Sequence, residues 1–234
     1  MKTLRILLFF ISTVLISNIS VAQTETIEPN DTITQPIKYG LRVGVDISKP
    51  IRSLLDKDYS GFEITGDFRF REKFYLAAEI GNEKKDYFEP NLNASTSGSY
   101  IKLGVDYNAY NNWLGLNNAI FTGLRYGASS FKQELLAYTI YTTNQTFPTT
   151  AIVEPQEFTG LTASWVEFIA GVKTEIYKNL YLSINVQLKR QIGEKTPEGF
   201  DNLYIPGFNK TYDFSEFGVG YGYTVSYLVP IFTK

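Results

Sequence analysis

Residues 217–231 read FGVGYGYTVSYLVPI, and side-chain character changes at every step. Phe217, Val219, Tyr221, Tyr223, Val225, Tyr227, Val229 and Ile231 are large and apolar or aromatic. Between them stand Gly218, Gly220, Gly222, Thr224 and Ser226. A period of two sends one set to each face of a β-strand. The same alternation recurs in residues 39–48, 62–70, 74–80, 101–107, 120–127, 166–176 and 180–189. No helical periodicity longer than a turn or two interrupts these segments, so the chain reads as all-β with eight strands.

The connections sort by length. Residues 71–73 and 177–179 are tight turns and 108–117 is moderate, whereas 49–60, 82–99, 128–164 and 192–216 are long. Short turns at one end and long loops at the other predict an eight-stranded antiparallel up-and-down transmembrane β-barrel, with short periplasmic turns and long extracellular loops. An even strand count puts both ends of the barrel on the short-turn side.

The first residues, MKTLRILLFFISTVLISNISVAQ, carry Lys2 and Arg5, then an apolar run, then a small-x-small site at Ser20-Val21-Ala22. Residues 1–22 are expected to be a signal peptide, residues 23–37 a flexible periplasmic leader, and residues 38–234 the barrel. Without residues 1–22 the 22 basic residues become 20 against 24 acids, a net charge of −4. That balance gives nucleic acid no electrostatic footprint. The chain has no cysteine and no histidine. A Ser-His-Asp relay and a histidine metal site are thereby excluded, and no cofactor is expected.

Alternation alone does not say which face meets solvent; a secreted soluble ligand-binding barrel would alternate too. Glycines crowd the polar face (Gly40, Gly44, Gly104, Gly123, Gly127, Gly171), as a narrow lumen requires. Aromatics gather at strand ends: Tyr39, Phe70, Phe74, Tyr107, Trp113, Tyr177 and Tyr227 at one rim, Phe62, Tyr100, Tyr126, Trp165 and Phe217 at the other. Such girdles belong at a membrane interface. The bulky face is therefore assigned to outer-membrane lipid and the polar face to the lumen. The lumen then receives Asp46, Glu63, Asp67, Glu79, Asp106, Glu167 and Glu175 with Arg42, Arg69, Lys102, Arg125, Lys173 and Lys189. Near-balance of sign predicts a structural network of ion pairs, since a lone buried charge is prohibitive.

Gly222-x-x-Val225-x-Tyr227 resembles the final-strand signal read by barrel-assembly machinery, although LVPIFTK follows it and Phe232 is third from the end. That resemblance implies that the chain is a client of such machinery. Residues 39–70, YGLRVGVDISKPIRSLLDKDYSGFEITGDFRF, and the stretch ASWVEFIAGVKTEIYKNLYLSINVQL resemble the small outer-membrane barrels of Bacteroidota loosely called PorT-like. The resemblance implies fold and membrane and no reaction. In those bacteria Asp-Thr/Ser before an apolar residue is an O-glycosylation motif, which makes Thr32 a candidate site.

The expected function is that of a non-enzymatic outer-membrane barrel, structural or an accessory subunit of an envelope assembly or secretion machine. Residues 128–164 motivate a protein partner: Phe131, Leu135, Tyr138, Tyr141 and Phe147 are apolar for an exposed loop. The alternative for that segment is continuation of the strands above the membrane, capping the barrel. A narrow channel is the alternative function.

Overall fold

A computed structural model describes residues 38–109, 118–140, 152–212 and 214–233. The signal and leader assignments, Thr32, Trp113, Tyr141 and Phe147 lie outside the described residues. Eight strands close into one ring: β1 (Lys38–Asp46), β2 (Tyr59–Arg69), β3 (Phe74–Glu89), β4 (Leu92–Asn108), β5 (Ala119–Tyr138), β6 (Gln156–Tyr177), β7 (Leu180–Glu194) and β10 (Phe217–Thr233). Each pairs antiparallel with its sequence neighbour, and β1 closes the barrel on β10. An eight-residue helix, α1 (Ser48–Leu55), follows β1, and a small hairpin of β8 (Tyr204–Ile205) and β9 (Asn209–Lys210) sits in the last loop.

The two faces divide as the alternation demands, with the greasy side outward. Val219 is 74 % exposed and Val186 62 %, whereas Lys102 is 1 % exposed and Glu167 0 %. Outward residues stay apolar only part-way up each strand. Ile80 gives way to Asn82, Ile101 to Ser99, Val166 to Ser164 and Leu188 to Arg190. These changes follow neighbouring register lines, since Ile80 pairs with Ile101, Ile101 with Ala128, and Ala128 with Ser164. An apolar belt with a defined upper edge rings the wall.

Three expectations need correction. Residues 82–99 form the tips of β3 and β4 around a two-residue turn, and much of 128–164 is strand in β5 and β6. Phe131 and Leu135 thus sit on β5, 4 % and 5 % exposed, facing inward. Tyr100 and Trp165 are no girdle residues either, because strand parity turns both inward, where they are buried. Finally, the segment expected as loop 49–60 contains α1.

Candidate functional site

The lumen is filled in three tiers, and cross-strand register assembles each. Near the short turns Arg42 lies opposite Asp67 and donates to it from Nε and Nη2 at 3.0 and 2.8 Å. Lys173 reaches the other Asp67 oxygen at 2.7 Å. The Arg42 guanidinium also stacks 4.5 Å over the Tyr181 ring, a cation–π contact suited to a planar, weakly hydrated cation.

The middle tier is a continuous chain of opposite charges. Arg125 grips Asp106 through two parallel bonds of 2.7 and 3.0 Å and reaches Glu79 at 3.3 Å. Lys102, directly opposite Glu79 on the next strand, donates to it at 2.7 Å. The same ammonium stands 3.3 Å from Glu63 and 3.7 Å from Glu167. Lys189 faces Glu167 in register at 3.7 Å and donates to the Gly207 carbonyl at 2.6 Å. Charge-assisted bonds of this kind replace the water each ion gave up.

The upper tier contains the parts that alternation did not reveal. Glu83 on β3 is 0 % exposed. It accepts from the hydroxyls of Tyr59 and Tyr204 at 2.9 and 2.7 Å, from the Gly207 N–H at 2.9 Å, and from Lys49 of α1. Burial and the Glu83 charge push the Tyr204 hydroxyl well above its ordinary range, so it remains a neutral donor. Beside this cluster Tyr100, Phe131, Leu161, Ala163 and Trp165 of the wall pack on Ile205 and Phe208 of the last loop. Gly207 adopts φ +83°, a left-handed turn that lets the loop backbone press against the Tyr100 ring. The last loop is a plug: it folds down into the mouth and closes it. Leu203 N–H and the Asp201 carbonyl tie it to Gln133 at 3.0 and 2.9 Å.

Across the three clusters six carboxylates meet six cations: Glu63, Asp67, Glu79, Glu83, Asp106 and Glu167 with Arg42, Lys49, Lys102, Arg125, Lys173 and Lys189. Three predicted members stand elsewhere. Asp46 accepts from the backbone N–H groups of Ser48 and Tyr223, Arg69 donates to the Glu72 carbonyl, and Glu175 accepts from the Asn179 N–H. Space between the side chains is small: cavities of about 40 and 30 Å³ lie in the lower half, room for a few waters. Among the described residues no group of three or more carboxylates is placed to hold a metal.

Residues 3–234 match one protein family over nearly the whole chain, that described as a domain of unknown function, DUF6048. The chain belongs to the DUF6048 family. Nothing in that description refers to PorT-like barrels. No curated protein matches the DUF6048 sequence. Among solved structures, Ail, the attachment invasion locus protein of Yersinia pestis, is similar at 7 % identity and a TM-score of 0.41, over 82 % of this chain and 97 % of that one.

Lys49, Glu83, Tyr59, Tyr204 and Phe208 are the functional residues that sequence reasoning missed in this DUF6048 barrel. Glu83 had a signal: it shares parity with Ala77 and Glu79 on β3. Its plug contacts predict a measurable effect. Tyr204→Phe removes one donor to a buried carboxylate and is expected to cost about 1.5–3 kcal/mol, the range for bonds to charged groups. Denaturant midpoints of both proteins in the same lipid would read this; an unchanged midpoint would mean that the Tyr204–Glu83 bond does not hold the plug.

Proposed function

We propose that this protein is an integral, non-enzymatic outer-membrane barrel that works through the surfaces it presents, as a structural protein or an accessory subunit of an envelope machine. One observation carries the reading: the wall is apolar outside and ionic inside, the reverse of a water-soluble barrel. An apolar band around a closed sheet is stable in hydrocarbon and an aggregation hazard in water. The packed lumen and inward plug favour contact over conduction, because eight strands leave space only for side chains and these have filled it.

The surface available for contact is the wall above the belt. There β3 to β6 project beyond the apolar edge with serines, threonines and paired charges outward, including Lys132 with Glu134 and Glu157 at 2.7 and 3.1 Å. Phe131 packs on the plug and Leu135 is buried, so a partner would meet this polar outer wall or the tip near Tyr138. Likeness of residues 39–70 to small Bacteroidota barrels points the same way, as does the final-strand pattern at Gly222, Val225 and Tyr227. The test is fractionation combined with heat-modifiability. The protein is expected in the outer-membrane fraction, running at different positions on a denaturing gel before and after boiling. Recovery in the soluble periplasmic fraction would refute the reading.

A further inference from the structure

Helix α1 repeats on a small scale the inversion seen in the wall. With 3.6 residues per turn, Ser48, Lys49, Arg52 and Ser53 share one side, and Ile47, Pro50, Ile51, Leu54 and Leu55 the other. In a water-soluble protein the second set would be packed against the body. Here the polar set is. Lys49 enters the mouth to Glu83, Arg52 lies 3.8 Å over the Tyr59 ring, and the Ser53 hydroxyl accepts from the Gly61 N–H at 3.1 Å. Leu54 and Leu55 are left 84 % and 82 % exposed. The helix also starts at the belt, since the Ile47 N–H donates to the carbonyl of belt residue Tyr223 at 2.7 Å.

Between α1 and the last strand lies a pocket of about 240 Å³ whose lining includes Lys49, Arg52, Gln187 and Asn209, together with belt residues Val219 and Tyr221. Two cations and no carboxylate line it. Lys49 is committed to Glu83. Arg52 is held more loosely: it stacks on Tyr59 and stands 3.9 Å from Asp56, which Lys85 holds at 3.0 Å. An arginine whose guanidinium makes no hydrogen bond among the described residues, at the edge of an apolar belt, matches an oxyanion attached to hydrocarbon.

We propose that α1 lies in the outer leaflet with Ile51, Leu54 and Leu55 among acyl chains, and that the pocket beside it holds the phosphate of a lipid headgroup on Arg52. The proposal rests on the membrane reading above and goes beyond it by assigning a lipid site. Continuity with the belt and a lining of two cations without a carboxylate both select lipid over a protein partner.

The absence of cysteine makes the test direct. The full chain is reconstituted in phosphatidylcholine vesicles doped with phosphatidic acid, and L54C, V186C and S97C each carry one environment-sensitive fluorophore. Spin-labelled lipid is expected to quench L54C and V186C and to spare S97C, which lies above the belt. Phosphatidic acid retained through detergent extraction, counted by native mass spectrometry, is expected to fall about tenfold in R52Q, as for loss of one charge-assisted contact. It is expected to return in R52K and to be unaffected in R190Q. Quenching of V186C without L54C would overturn the placement of α1 while leaving the membrane barrel intact; cross-linking of L54C to protein would then name a protein occupant. No quenching of V186C would remove the membrane reading itself. Equal retention in R52Q and the parent, or displacement of the lipid by inorganic phosphate alone, would overturn the headgroup site.

Discussion

Replacing Lys102 with methionine is expected to cost the folded barrel about 3–5 kcal/mol, the range for removing one partner of a buried ion pair. The ammonium is 1 % exposed and stands within 4 Å of three carboxylates, Glu63, Glu79 and Glu167. Methionine nearly matches its volume, so the loss is electrostatic and not a cavity. Glu79 keeps Arg125, and Glu167 keeps Lys189 at 3.7 Å and the Trp165 indole N–H at 3.3 Å, but among the described residues Glu63 is left with the neutral Tyr100 hydroxyl at 2.5 Å. Lys102→Met with Glu63→Gln, the carboxylate left with only the neutral Tyr100 hydroxyl, removes the single surplus negative charge and is expected to recover a large part of the loss. Denaturant titration of the refolded barrel in one defined lipid compares the three proteins through their midpoints. A single variant within about 0.5 kcal/mol of the parent, the spread of ordinary surface substitutions, would mean that the lumen is wet and the charges are screened.

How far such a network can be read from sequence depends on where along each strand the outer face is apolar. Inside the belt, the outer face is apolar and the inner one is a crowded polar interior, so every second residue differs in kind. Arg42, Asp67, Glu79, Lys102, Arg125, Glu167, Lys173 and Lys189 were legible there from parity alone. Above the belt both faces are polar or both are mixed, and alternation disappears although the strand continues. At Ile80 the outward series becomes Asn82, Lys84 and Asp86, so β3 read as ending nine residues before its end at Glu89. With it Glu83 was lost, and so was the anchor of the plug. The plug itself left no periodic trace, because Tyr204, Ile205 and Phe208 belong to a hairpin of two-residue strands turning at Gly207, too short to show alternation.

Helix α1 was hidden for a different reason. Its eight residues give barely two turns, and Pro50 near the start reads as a loop breaker although the first turn tolerates proline. Trp165 and Tyr100 show the opposite error. Their type suggested the interface, but register decides facing: Gly127 lies opposite Trp165 on β5, and the indole occupies the space that a Cβ there would take. Residue type proposes a face, whereas parity counted from the belt determines it.

Arginine placed on the outer wall distinguishes hydrocarbon from water as the medium around the barrel. Leu124→Arg on β5 sits mid-belt at a side chain already 65 % exposed, so little packing is lost. If lipid surrounds it, the substitution is expected to cost about 2–4 kcal/mol, and an equal change near the upper edge about 0–1 kcal/mol. Ser97→Arg, outward on the adjacent strand β4 but above the belt, is expected to be neutral within about 0.5 kcal/mol. The gradient is the informative quantity. In water an exposed leucine exchanged for arginine would be harmless at every height, so Leu124→Arg and Ser97→Arg would unfold together with the parent. Lipid alone penalises the first and ignores the second, because only there must the guanidinium climb to the headgroups or draw water into the bilayer. Midpoints measured in one lipid for both variants decide it. Val186→Arg, on β7 two strands further round the ring, extends the test along the circumference and is expected to follow Leu124→Arg.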